Sequence, residues 1–190
     1  MNKKKEGKIF VISAPSGTGK STLADMLLKS CSLLHKSISY TTRSPRPGEV
    51  NGKDYYFITV ADFKKKIKEG FFAEWAEVYG DYYGTSYDFL ARMLKEGRYV
   101  ILVIDTQGAF QIKKRYPENT VLIFIAPPSF SELKKRLINR GTENEQRILK
   151  RLEKAKKEMK EGKQYDIVII NDSLEKAFRE LRQRIMQYLS

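Results

Sequence analysis

Cysteine and histidine are almost absent from this chain: Cys31 and His35 are the single representatives of their kinds among 190 residues. One thiol excludes an intramolecular disulfide, and it excludes a zinc or iron–sulfur site built from a group of thiols. A reducing, cytoplasmic setting fits that composition. Long apolar runs are missing too. The basic start, Met1 to Lys8, leads into an apolar run, Ile9 to Ile12, far shorter than a signal-peptide core or a membrane span, so the chain reads as neither secreted nor membrane-bound. Repeats, low-complexity tracts and long linkers are absent as well.

Acidic residues are in deficit, 23 Asp+Glu against 36 Lys+Arg, for a net charge of +13. That balance suits a protein that handles polyanions: nucleotides, nucleic acid or anionic lipid. Many of the cations sit at helical spacing on faces that read as solvated, for example Lys64, Lys65, Lys66 and Lys68, or Lys154, Lys156, Lys157 and Lys160. Ordinary surface lysine accounts for most of them. A nucleic-acid partner would rest on the charge alone, because no recognised nucleic-acid motif is present.

What is there is enough for one sizeable core: 190 residues with 41% hydrophobic content fit one main domain with a lobe inserted into it. Apolar, β-branched runs predict strands near Lys8 to Ser13, Tyr99 to Asp105, Thr120 to Ile125 and Asp166 to Ile170, each followed by a helix-like stretch. The runs VILVI and VLIFI lack the alternation of a one-sided sheet, so helices should cover both faces, as in a doubly wound parallel α/β fold. The stretch from Tyr40 to Ser86 breaks this rhythm, with short strand-like pieces (Asp54 to Ile58, Phe71 to Val78) around a helix from Asp62 to Glu69, capped by Thr59 or Asp62 and ended by Gly70. The expected division is a core of residues 1–39 and 87–190 with an inserted mixed α+β lobe at 40–86. Two charged helices joined around Arg140-Gly141-Thr142, within about 129–163, suit a helical lid.

The chemistry is carried first by Ala14-Pro15-Ser16-Gly17-Thr18-Gly19-Lys20-Ser21. It matches the P-loop G-x-x-x-x-G-K-S/T at every position but the first, directly after a strand and opening a helix. Gly17 and Gly19 let successive backbone N–H groups turn inward around phosphates, and the helix dipole adds to them. Lys20 should reach the β and γ oxygens of ATP, Ser21 should coordinate the Mg²⁺ that bridges them, and Thr22 follows on the same turn. Ala14 in place of glycine requires a backbone conformation open to a side chain. A P-loop by itself names no acceptor.

The acceptor has to come from elsewhere. Arg43 and Arg46 stand three apart on the proline-stiffened loop Ser39-Tyr40-Thr41-Thr42-Arg43-Ser44-Pro45-Arg46-Pro47-Gly48-Glu49, and two guanidinium forks on one rigid loop suit a second phosphate. Taken with Glu74-Trp75-Ala76, Tyr82-Tyr83-Gly84-Thr85, Ile104-Asp105-Thr106-Gln107-Gly108, Ala126-Pro127-Pro128-Ser129 and Arg136 through Glu143, the chain closely resembles the guanylate kinase family from Ile9 to about Leu181.

The resemblance implies reversible, Mg²⁺-dependent transfer of phosphate from ATP to GMP, with dGMP alongside, in purine nucleotide metabolism. By the family pattern Arg43 and Arg46 grip the acceptor phosphate, with Tyr55 and Tyr83 completing the cradle. Glu74 matches the guanine-reading glutamate and Asp105 the aspartate near the exocyclic amine, while Ser39 and Thr85 match hydroxyls facing O6. Guanine carries an N1–H and an N2 amine that a carboxylate can accept; adenine would leave Glu74 unpaired. Arg136, Arg140 and Arg151 match lid arginines that close over the transferring group, and Asn171 matches a position near the adenine. No general base is needed for an acceptor that is already a phosphate, so the lack of a histidine relay is in keeping. Non-catalytic interaction modules of this family typically lose the P-loop lysine or the guanine-site set, and here both stand.

Two departures are visible. The strand reads Leu102-Val103-Ile104-Asp105 where the family usually has two acids, so Val103 removes a carboxylate that could support the metal shell or orient Lys20; Tyr40 stands where smaller or histidine-like residues are usual. Trp75 reads as core, and Cys31 as a small buried filler.

Overall fold

The structure, a computed structural model, describes residues 7–139 and 145–189. The four apolar runs become adjacent parallel strands, β7 (Tyr99–Val103), β1 (Lys8–Ser13), β8 (Thr120–Ala126) and β9 (Ile167–Ile170), with β2 (Leu34–Lys36) added beside β7. Two of these strands are shorter than their sequence predicts, each for a local reason. β7 stops before Asp105 because that side chain accepts from the Gly108 amide at 3.1 Å and caps the next helix, α4 (Thr106–Arg115). Asp166 stays outside β9 because its carboxylate accepts from the Leu122 amide at 2.7 Å. β9 is also an edge, with Val168 and Ile170 exposed, so the expectation of two covered faces fails there and holds in the middle of the sheet.

In the middle, Phe10 and Ile12 of β1 pack with Leu23 and Leu27 of α1 (Lys20–Ser30) and with Leu181 and Ile185 of α7 (Leu174–Leu189). Ile9 and Val11 point the other way, to Leu90 of α3 (Tyr87–Lys95) and Ile112 of α4. Each such side chain contributes roughly 1.5–3 kcal/mol on burial, so the sheet is the rigid frame from whose C-terminal edge the functional loops hang.

A second, four-stranded sheet lies in the 40–86 stretch, in the order β4 (Tyr56–Phe57), β3 (Tyr40–Thr41), β6 (Asp81–Ser86), β5 (Phe72–Val78). The strand β6 has no apolar periodicity in DYYGTS and forms through its antiparallel pairing with β5. β4 is shorter than the expected Asp54 to Ile58, since the Asp54 carboxylate holds the Val50 amide at 2.8 Å instead. The helix α2 (Val60–Lys68) starts two residues early, capped by Thr59, whose hydroxyl accepts from the Asp62 amide at 3.1 Å; Gly70 ends it at φ 68°. Its Phe63 stacks on Phe72, ring centroids 4.4 Å apart. Tyr40 finds its place here, stacked on Tyr56 at 4.7 Å.

Trp75 corrects the sequence reading. Alternation along β5 sends Glu74 and Ala76 inward, so the indole is 39% exposed. Its backbone still locks the small sheet to the large one: Gln111 of α4 accepts from the Trp75 amide at 3.2 Å and donates to its carbonyl at 2.8 Å. The charged pair of helices is present as α5 (Phe130–Asn139) and α6 (Glu145–Glu161), packed through Leu133, Leu137, Leu152 and Ala155.

Candidate active site

The C-terminal end of β1 turns directly into the phosphate loop. Gly17 and Gly19 take φ 91° and 88°, the left-handed region that favours glycine, and among the described residues Ala14 is not in it. The Thr18 amide closes a turn on the Pro15 carbonyl at 3.2 Å, and Thr18 Oγ1 donates to the same carbonyl. Thr18 is buried, so it shapes the loop from inside. Asn171, just after β9, is also buried: its amide donates to the Thr18 carbonyl at 2.7 Å. The residue matched to an adenine contact thus spends its side chain bracing the loop.

Lys20 opens α1 and points back along the loop, donating from Nζ to the Ile104 carbonyl at 3.1 Å. Burial pulls its ammonium below the usual lysine range, against the carboxylates of Glu158 and Asp105, which hold it up, while Lys154 works with the burial.

One cavity of about 330 Å³ joins this loop to the small sheet. Its wall includes Ala14 to Gly17, Gly19 to Thr22, Ser39, Arg46, Tyr55, Glu74, Tyr83, Asp105 and Arg151. At the far end Glu74 is 3% exposed, and Thr85, fully buried, donates from Oγ1 to its Oε1 at 2.6 Å. Burial is the largest influence on Glu74 and pushes its carboxyl up to about 7, against the Thr85 hydrogen bond and with help from Asp105. Gly108 makes room for it, since a Cβ there would stand 2.4 Å from Glu74 Oε2.

Of the two loop arginines only Arg46 faces the cavity. Arg43 is held by Glu49 through both carboxylate oxygens, at 2.8 and 2.9 Å, with its guanidinium over the rings of Tyr55 and Phe57. The Arg43 hydrogen bonds hold Glu49 below the usual carboxylate range. Arg136 is likewise turned aside, donating to the Asn171 carbonyl at 3.2 Å and to Glu132 at 3.4 Å. Arg151 reaches across to the loop and donates to Ser16 Oγ at 2.6 Å. Arg140 lies outside the described residues.

Sequence reasoning missed Tyr79, Lys154 and Glu158, all on the cavity wall. The sequence groups Lys154 with a solvated face, whereas its side chain is 20% exposed and pairs with Asp105 at 3.1 Å and Glu158 at 3.8 Å. The signal is the spacing Arg151, Lys154, Ala155, Glu158, an inward stripe at i, i+3, i+4, i+7 of which three members are charged. Glu158, buried, is pushed up to about 7 chiefly by that burial, with Lys154 and Lys20 pulling the other way.

Strand, glycine loop and helix with a half-buried lysine at the mouth define a P-loop nucleotide-binding protein, and the walled extension beyond it supplies room for an acceptor. A family model described as Guanylate kinase matches residues 6–188. A guanylate kinase from Protochlamydia amoebophila is 51% identical over 95% of this chain and 90% of its own length. One from Caldanaerobacter subterraneus is 46% identical over 98% and 90%. The crystal structure of guanylate kinase from Anaplasma phagocytophilum superposes with a TM-score of 0.81 at 36% identity, covering 97% of this chain and 87% of that one. The chain belongs to the guanylate kinase family.

Proposed function

We propose that the guanylate kinase activity of this chain, the phosphorylation of GMP by ATP, runs through a single cavity with Lys20 at the donor end and Glu74 at the acceptor end. The observation that carries the reading is that both groups line one cavity, a cation placed for phosphates and a buried carboxylate placed for a base with two adjacent donors. GMP N1–H and N2–H donate to Glu74, and Asp105 accepts a second proton of the amine. Ser39 turns its hydroxyl toward O6, while Thr85, matched to the same role by the family pattern, is buried off the cavity wall and spends its one proton on Glu74 Oε1. Arg46, Tyr55 and Tyr83 take the acceptor phosphate, and Arg43 joins them by exchanging Glu49 for it. dGMP fits the same contacts.

On the donor side, the loop from Ala14 to Thr22 wraps the ATP phosphates with the backbone amides it leaves free, and Lys20 neutralises the oxygens between which the phosphoryl group passes. Arg136 and Arg151, with Arg140, approach from the α5–α6 pair, which we take as the lid within 129–163. Residues 40–86 form the acceptor unit, and 1–39 with 87–190 the core. Asn171 supports the adenine end through the loop it braces.

A resident Mg²⁺ fits this site with one protein ligand. Ser21 offers its hydroxyl to the cavity, and among the described residues no group of three or more acidic, histidine or cysteine side chains could hold an ion alone; the nucleotide phosphates and water complete such a shell. When bound, the ion would supply charge neutralisation to the phosphates. Among the described residues no helix is long and apolar enough to cross a membrane. The free, buried thiol of Cys31 suits the cytoplasmic location we assign.

The test is ADP release from Mg·ATP with GMP, AMP, CMP and UMP offered in turn. Turnover on GMP alone is expected. Equal turnover on AMP would overturn the assignment of Glu74 as the base reader.

A further inference from the structure

The α6 helix meets the acceptor end of the cavity through a contact that the reading above leaves unused. The β5–β6 hairpin turns on Tyr79 and Gly80, between the paired residues Val78 and Asp81. Tyr79 is held at φ 56° and is the one non-glycine among the described residues with a positive φ. A tight turn of this hand favours asparagine or glycine, and a bulky side chain there costs about 1–2 kcal/mol. The ring has a use that matches that strain: Arg151 lies 5.5 Å and Lys154 5.1 Å from its centroid, two cations one turn apart on α6.

From this seat Lys154 reaches into the cavity. Its Nζ donates to Asp105 Oδ2 at 3.1 Å. The same oxygen accepts from Gln107 Nε2 at 3.1 Å, while Oδ1 is committed to the Gly108 amide at 3.1 Å. Asp105 is therefore fixed from both sides, by its own helix through Oδ1 and by α6 through Oδ2. Lys154 also stands between Asp105 and Glu158, and so offsets the repulsion of carboxylates that share a wall with Glu74.

We propose that Lys154 is a positioning residue for guanine recognition, acting through Asp105 from its seat on Tyr79. It fixes the carboxylate that meets the exocyclic amine and ties its placement to α6. The inference rests on the reading of Asp105 as the acceptor of the N2 amine, and the chemistry of two acceptors separates the two claims. Inosine monophosphate has the N1–H and O6 of GMP and lacks the amine, so it cannot sense how Asp105 is aimed.

The experiment compares KM for GMP, inosine monophosphate and ATP in the wild type, Lys154→Met, Lys154→Arg, Tyr79→Leu and Asp105→Asn. Lys154→Met is expected to raise KM for GMP about tenfold while the other two constants stay within about twofold. Lys154→Arg, which keeps the charge, should restore KM for GMP to within about threefold of wild type. Tyr79→Leu should raise KM for GMP about threefold relative to KM for inosine monophosphate, and that ratio carries the test should Lys154→Met not fold, since Arg151 rests on the same ring and acts on both acceptors alike. An equal rise for GMP and inosine monophosphate, or no rise, would mean that Lys154 merely supports the fold and would overturn the proposal. If Asp105→Asn also leaves the ratio of the two acceptors unchanged, the reading of Asp105 itself fails and takes the proposal with it.

Discussion

The two ends of the cavity are built by different means. The donor end is mainly backbone: the glycines at 17 and 19 fold one contiguous loop, with Lys20 at its helix end and Arg151 against Ser16 adding charge. The acceptor end is side chain: Glu74 comes from β5, Thr85 from β6, Asp105 from the end of β7 and Lys154 from α6. A backbone site tolerates changes around it, because its donors are fixed by local φ and ψ. A side-chain site drawn from four elements depends on each neighbour that packs it.

The sharpest way to break this contrast is at Lys20, the charge that the loop itself carries. Lys20→Met is expected to lower kcat by about a thousandfold on every acceptor, since the charge aimed at the transferring group is lost, while the variant still binds ATP through the loop amides. A loss confined to GMP turnover at low acceptor concentration would instead assign Lys20 to binding.

A neighbour that touches no substrate sharpens the other side. Gly108→Ala places a Cβ against Glu74 Oε2, so KM for GMP should rise about tenfold, a shift of roughly 1.4 kcal/mol, with KM for ATP unmoved. Steady-state kinetics with each substrate varied reads both constants; parallel rises would mean that the ends are not separately built.

The smallest effect expected is in pH dependence, where binding and stability pull in opposite directions. Glu74 and Glu158 are both pushed up to about 7 by burial from an ordinary value of 4.5. Between those values the folded chain holds protons that the unfolded chain has released, so stability falls as pH rises through that window. GMP recognition needs Glu74 ionised, so KM for GMP should rise as pH drops below about 7. Thermal melts and KM measured across the same pH range check the two signs, and Glu74→Gln should flatten both trends in part.

The same contrast governs how much of the molecule could be read from its residues. The phosphate loop was legible because eight consecutive residues fix it, and the central strands because β1, β7 and β8 are apolar on both faces. The strand β6 was not, since DYYGTS owes its conformation to pairing with β5. Lys154 and Glu158 were hidden because charge on a helix normally marks water, and only the packing of α6 turns that stripe inward. Arg43 shows a further limit: two arginines on one loop are equivalent in sequence, yet Glu49 holds one of them and leaves Arg46 facing the cavity. Trp75 went the other way, exposed by the alternation that buries Glu74.

The central claim is that one buried carboxylate selects the acceptor. Its most direct test is kcat/KM for GMP and for AMP in the wild type and in Glu74→Gln. Exchanging an acceptor oxygen for an amide that faces the N1–H and N2–H donors should cost GMP about a hundredfold and leave the already poor AMP reaction within a few-fold. A comparable loss on both acceptors, or an unchanged GMP reaction, would contradict it.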